Sequence, residues 1–129
     1  QLQKIEGWIE QRNKNAAAIV EHLQQLDGVT IPIVPKHMKH AYYRVAILVD
    51  NEQHRNRMMA ALNECDIPAS IGPCPEIYRE PAFVSAGFIP PSRLPVAEEL
   101  GYRTLSLPTY PGIESVIDRI SLMNCQDIP

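Results

Sequence analysis

The sequence predicts an α+β domain: a small, mostly antiparallel sheet with helices packed on one face and a long helix at the N-terminus. Three observations carry that expectation. Two apolar stretches rich in β-branched and aromatic residues follow one another between residues 29 and 50, with no helical period between them. Helix-like and strand-like segments then succeed each other in mixed order. The 129 residues, 45% hydrophobic and 21% charged, suit a single domain with a real core.

The first 27 residues form one helix. Leu2, Ile5, Ile9, Ala16, Ile19, Leu23 and Leu26 recur at three- and four-residue steps, and Gly28 stands where a helix can end. No Ser, Thr or Asp precedes the first turn as a cap, so the helix is expected to run on from a preceding part of a longer protein. Trp8, beside the stripe, is either the edge of this core or half covered by such a part.

"VTIPIVP" (29–35) and "AYYRVAILVD" (41–50) read as strands bounded by Gly28, Pro35 and Asp50. Asp50 and Gln53 resemble a capping box, opening a helix to about Cys65 with Met58, Met59 and Leu62 inward. "IPASI" (67–71) reads as a strand leading into the loop "IGPCPEIYREPAF" (71–83). Pro95 and Gly101 bracket a short helix, with Pro at its start and Gly past its end. "TLSLP" (104–108) is a strand, and "GIESVIDRISLM" (112–123) a last helix facing Ile113, Val116, Ile117 and Ile120 inward.

Composition narrows the chemistry. A net charge of -3 gives no reason to expect nucleic acid or an anionic membrane as partner. There is no membrane-spanning apolar run and no signal-peptide layout at the N-terminus. Cys65, Cys74 and Cys125, odd in number and far apart, read as free thiols of a cytoplasmic protein. His37 and His40 have a ligand-like spacing, but a lone HxxH without CxxC or HExxH reads as solvated loop histidines, and no metal is expected.

The loop at 71–83 is the most site-like stretch. Its prolines fix φ in advance, so it orders at little entropic cost and holds side chains still. Cys74 lacks a basic neighbour in sequence to lower its pKa and reads as an unreactive thiol. Glu76 and Glu80 are candidates for an acid/base pair, although loop carboxylates are usually solvated. No nucleophile elbow, Walker loop or dinucleotide fingerprint is present. Read from the residues alone, the chain is an α+β domain with an ordered loop and no named reaction.

Four stretches go further. "QLQKIEGWIEQRNKNAAAIVEHLQQLDGVTIP", "KHAYYRVAILVD", "REPAFVSAG" and "RLPVAEELGYRTLSLPTYPGIESVIDRI" resemble, in order, segments of the DegT/DnrJ/StrS family of sugar aminotransferases. The last is similar to the family's terminal "PVAEELAERVLSLPLYPGL" signature. The resemblance implies the C-terminal small domain of a fold-type I enzyme. Such enzymes use pyridoxal 5′-phosphate to move an amino group, usually from glutamate, onto a nucleotide-linked keto-sugar, and they work as homodimers. It implies amino-sugar synthesis for surface polysaccharide, lipopolysaccharide or a natural product.

The resemblance also implies that the cofactor lysine lies upstream. None of the four lysines, Lys4, Lys14, Lys36 and Lys39, matches the family's catalytic position, so this chain alone is expected to be inactive and to bind no cofactor. In the family the segment before "EPAF" meets the sugar nucleotide, which makes Gly72, Pro73, Cys74, Glu76 and Tyr78 the expected substrate-binding residues. Tyr78 aligns with the second histidine of the family's "HYxxPLH" run, and Gly72-Pro73 with its first His-Tyr pair; neither histidine is present here. The alternative is a freestanding module of the same descent that binds a sugar nucleotide or a partner protein.

Overall fold

The computed structural model describes residues 2–72 and 75–122. A 3₁₀ turn, Leu2–Lys4, leads into α1 (Ile5–Leu23). Then come β1 (Val29–Thr30), β2 (Arg44–Val49) and α2 (Glu52–Glu64). A 3₁₀ turn at Ile77–Arg79, α3 (Pro81–Ser85), α4 (Pro95–Arg103), β3 (Thr104–Pro108) and α5 (Glu114–Leu122) follow among the described residues.

The three strands form one antiparallel sheet in the order β1-β2-β3. Val45 faces Leu107 and Ile47 faces Leu105 across the β2–β3 ladder, while Val49 faces Val29 on β1. Side chains alternate across a strand, so Val45, Ile47 and Val49 share one face, and all three are buried. Arg44 and Ala46 share the other and are exposed. On the apolar face lie Ala16, Ile19 and Leu23 of α1, Met58 and Leu62 of α2, and Val116 and Ile120 of α5. Each fully buried Ile or Leu of this layer contributes about 1.5–3 kcal/mol. This is the expected α+β architecture, with helices on one face and a long N-terminal helix.

Prolines trim the strands. Pro32 and Pro35 have no N–H for a ladder, and β1 ends at Thr30. Pro68 does the same to the expected strand at 67–71, which is reduced to a single bridge: Ser70 and Ser106 exchange amide bonds of 3.1 and 2.8 Å. Helix ends also differ from expectation. α1 stops at Leu23, four residues short of the expected end at 27, and Gly28, with a φ of 70°, turns the chain into β1. Asn51, not Asp50, caps α2, accepting the His54 amide at 2.9 Å.

At the far end of α2, Asp66 takes a left-handed φ of 56°, while Ile67 N–H bonds Leu62 C=O and Asp66 N–H bonds Asn63 C=O. This is a Schellman cap, and its apolar partner Ile67 is buried beside Leu62. Polar side chains tie the layers where the apolar stripes are interrupted. Asn15, on the inward stripe of α1, is buried and donates to the carbonyls of Thr109 and Tyr110 at 3.2 and 3.1 Å. Arg55, on the inward stripe of α2, donates to Gly101 C=O at 2.5 Å and pairs with Glu52. Gly101 does not terminate α4, which continues to Arg103. A Cβ there would sit 3.2 Å from the Pro75 ring, so glycine lets the loop approach the helix.

Candidate functional site

Between β3's neighbour Ser70 and the start of α4 the chain makes an excursion of its own, residues 75–94. It contains no large buried apolar side chain; Ile77, Val84, Phe88 and Ile89 are all more than half exposed. What shapes it is one carboxylate. Glu76 is 7% exposed and accepts four hydrogen bonds. Arg93 binds it through Nε to Oε1 at 2.8 Å and Nη2 to Oε2 at 2.7 Å, the two-pronged geometry that suits guanidinium and carboxylate. The Tyr78 hydroxyl donates to Oε1 at 2.6 Å and Arg79 Nη1 to Oε2 at 3.1 Å.

The network extends outward. Arg93 Nη1 pairs with Glu98 at 2.5 Å, and Arg93 Nη2 donates to the Tyr102 hydroxyl at 3.1 Å, both groups being on α4. The Tyr78 oxygen accepts the Leu94 amide, the residue that precedes α4, at 3.1 Å. Two guanidiniums and two carboxylates thus neutralise one another between the loop and the helix. Arg93, above all, and then Tyr78 hold the Glu76 carboxyl down to about 2, against the opposing effect of burial. Burial, and after it the bond to Glu76, raises the Tyr78 hydroxyl above its ordinary value. Arg93 is raised by the same carboxylate and remains charged at every working pH.

This geometry sorts the expected site residues. Pro73 and Cys74 lie outside the described residues. Gly72 has a φ of 86° and packs against Ser106, so it is the turn by which the chain leaves the sheet. Glu76 has every acceptor position filled and offers no free oxygen to a ligand. Tyr78 has spent its proton on Glu76 and keeps one lone pair and its ring. That ring, with Val84, Ile89, Pro90 and Arg93, lines a groove of about 420 Å³. Glu80 is exposed, and both Glu76 oxygens are engaged by Arg93, Arg79 and Tyr78, so the two carboxylates share no proton. His37 is exposed and His40 Nδ1 accepts the Tyr42 amide at 2.9 Å. Among the described residues no three His, Cys, Asp or Glu side chains gather as a metal set, and no helix is long and apolar enough to cross a membrane.

The sequence model of the DegT/DnrJ/EryC1/StrS aminotransferase family matches residues 1–120. The chain belongs to that family. An uncharacterized protein of Methanocaldococcus jannaschii is 27% identical over 126 residues, covering 94% of this chain and 32% of its own length. An aminotransferase from Psychrobacter cryohalolentis superposes with a TM-score of 0.83 at 27% identity, over 99% of this chain and 35% of that one. DesI, solved in the presence of its TDP-sugar product, superposes with a TM-score of 0.71 at 26% identity, over 94% and 31%. The chain spans about a third of the length of these family members.

Sequence reasoning missed the partners rather than the loop. Arg93 is 17 residues from Glu76, and nothing local in "PPSRLP" marks it as an anchor. Arg55 and Asn15 did carry a signal: each is a polar residue on the inward apolar stripe of its helix, and such residues must find partners when buried.

Proposed function

We propose that this chain is the C-terminal small domain of a pyridoxal-phosphate-dependent aminotransferase that transfers an amino group from an amino acid, glutamate in the first instance, to a nucleotide-linked keto-sugar. The observation that carries the reading is the family match over residues 1–120, on a fold shared with an aminotransferase of known structure. The TDP-sugar product of DesI supports a nucleotide-linked sugar as the substrate class. The intact enzyme acts as a homodimer in the cytoplasm.

The cofactor supplies the electron sink for amino transfer when bound in the intact enzyme. The residues here do not fit as its anchor. Lys4, Lys14, Lys36 and Lys39 are all exposed, whereas a Schiff-base lysine needs a desolvated pocket that keeps its amine neutral. What this domain contributes is a wall. Glu76 fixes the excursion's shape without touching substrate, Gly72 turns the chain away from the sheet, and the Tyr78 ring faces the sugar across the groove. Arg93, which holds Glu76, is a positioning residue in this reading.

Two measurements test it. Incubating this chain with pyridoxal phosphate and then borohydride should leave no stoichiometric, site-specific pyridoxyl-lysine; one saturable adduct at a single lysine would overturn the claim that the chain lacks the cofactor's anchor. The longer protein that carries this domain should turn a nucleotide-linked keto-sugar and glutamate into the amino sugar and 2-oxoglutarate. Failure with every such keto-sugar and every amino donor would remove the reading.

A further inference from the structure

Tyr42 holds a backbone conformation that a tyrosine rarely takes. Its φ of 43° lies in the left-handed region, where a side chain crowds the backbone. Residues so strained persist only where their surroundings over-determine them, and they gather at functional sites and switch regions. Here the turn's carbonyls are clamped from the core side. The fully buried Thr109 hydroxyl shares its proton between the carbonyls of Tyr42 and Tyr43, the latter at 3.1 Å. Asn13 Nδ2 donates to the His40 carbonyl at 3.2 Å, and Arg12 Nη1 to the Tyr43 carbonyl at 3.3 Å.

The restraint on the Tyr42 amide is of a different kind. That N–H donates to Nδ1 of His40, two residues back, at 2.9 Å. The arrangement is that of an Asx turn, with an imidazole nitrogen in the place of the Asn or Asp oxygen. The two rings lie 4.3 Å apart at 55°, which keeps the imidazole within reach of the amide. An imidazole nitrogen accepts a hydrogen bond only while it carries no proton. The hydroxyl, carboxamide and guanidinium donors on the other side of the turn keep their protons from mildly acidic to neutral pH.

A charge on the His40 ring finds little in exchange. Residues 28–49 contain no Asp or Glu. The groove of about 570 Å³ that His40 and Tyr42 border is lined also by Glu10 and Lys14 of α1 and by Lys39. Arg12 of α1 and Arg44 of β2 lie by the neighbouring Tyr43 ring. The segment after β3 brings only Thr109 and the carbonyl of Tyr110, both uncharged. Cations outnumber the one acid around the turn.

We infer that the turn His40–Tyr43 is a proton-operated latch. With the His40 ring neutral, Nδ1 holds the Tyr42 amide and the backbone stays left-handed. With the ring protonated, the amide loses its acceptor and the strained φ relaxes, while Thr109 and Asn13 keep the carbonyls in place. Order in the turn therefore belongs to the neutral ring: it is present above the pH at which His40 titrates and lost below it. The change is confined to the turn and to the groove that it borders. It holds whichever reaction the longer protein performs.

The test follows the four histidines and the Tyr42 amide of this chain by NMR through a pH titration. With His40 neutral, its ¹⁵N shifts should place the proton on Nε2 and leave Nδ1 bare. As pH falls, the Tyr42 amide proton should move upfield with the midpoint of His40. Its protection against exchange should drop about tenfold, the loss of one hydrogen bond. His40→Asn keeps an acceptor in the same place and takes up no proton, so the Tyr42 amide should hold its shift throughout. His37→Asn should leave the response as it is. If His40→Asn does not fold, the shared midpoint in the unchanged chain decides. A proton on Nδ1 of the neutral ring, a Tyr42 amide that ignores His40 or follows His37, or a response that survives His40→Asn would each overturn the latch.

Discussion

The sheet with its three long helices and the excursion at 75–94 are held by different physics. In the first, fourteen apolar side chains among the described residues are buried together, and polar groups such as Asn15 and Arg55 only pin the layers. In the second, large apolar side chains face solvent and order comes from four hydrogen bonds to one carboxylate. Apolar burial is indifferent to pH and strengthened by kosmotropic salts, whereas ion pairs depend on protonation and weaken as salt is raised. The difference teaches that one chain can hold a rigid platform and an adjustable wall side by side. Conditions that leave the first unchanged should loosen the second.

The largest effect should come from the platform. Ile47 is fully buried in the central strand opposite Leu105, and Ile47→Ala removes methyl groups from a packed layer. A loss of about 2–5 kcal/mol in unfolding free energy is expected, read by urea denaturation. A loss well under 1 kcal/mol would mean that this layer is not the source of stability.

Acid should separate the two regions next. The folded Glu76 carboxyl titrates near 2, below its ordinary 4.5, so its contribution to order is fully present above about 4.5 and is lost as pH falls through 2. Amide signals of Tyr78 and Leu94 should stay in place at pH 5 and shift progressively towards pH 2, ahead of those of Val45 and Ile47. Simultaneous loss of both sets at one pH would erase the distinction between platform and wall.

Tyr78→Phe is the finer probe. It deletes one hydroxyl, ending a bond to Glu76 and leaving the Leu94 amide without its partner, while the ring still packs. Proteolysis within 75–94 should quicken severalfold with the global melting temperature nearly unchanged, because local opening draws on few buried contacts. In the intact enzyme kcat/KM should fall by a few-fold. A large drop in melting temperature would show that the hydroxyl supports the core as well.

Much of the platform was legible because its signals are local. The strand residues Val45, Ile47 and Val49 are buried as their period implies, and of the stripe on the first helix Ala16, Ile19 and Leu23 are buried while Leu2 and Ile5, at its N-terminal end, are exposed. Strand lengths were overread at 31–35 and 67–71, where Pro32, Pro35 and Pro68 outweigh β-branched neighbours. A glycine after an apolar period need not end a helix: Gly28 turns into a strand and Gly101 sits inside α4. The prolines of 71–83 point to an ordered loop, and within the described residues 75–83 the chain is anchored at Glu76. Its cause could not be read there, since an ion pair between Glu76 and Arg93 leaves no period and no fixed spacing.

Gly101 joins two layers of the molecule. On one side its carbonyl is gripped by Arg55 from α2, and on the other its bare Cα lets the Pro75 ring and Glu76 press against the helix. α4 is therefore tied to α2 on one side of Gly101 and carries the Pro75–Glu76 end of the excursion on the other. Nine residues span about 13 Å, so a tilt of about 5° moves the free end by about 1 Å. A shift of that size at a reacting group changes rates by orders of magnitude. Small adjustments in how α4 seats on α2 would retune the wall at 75–94 without altering any residue that lines it.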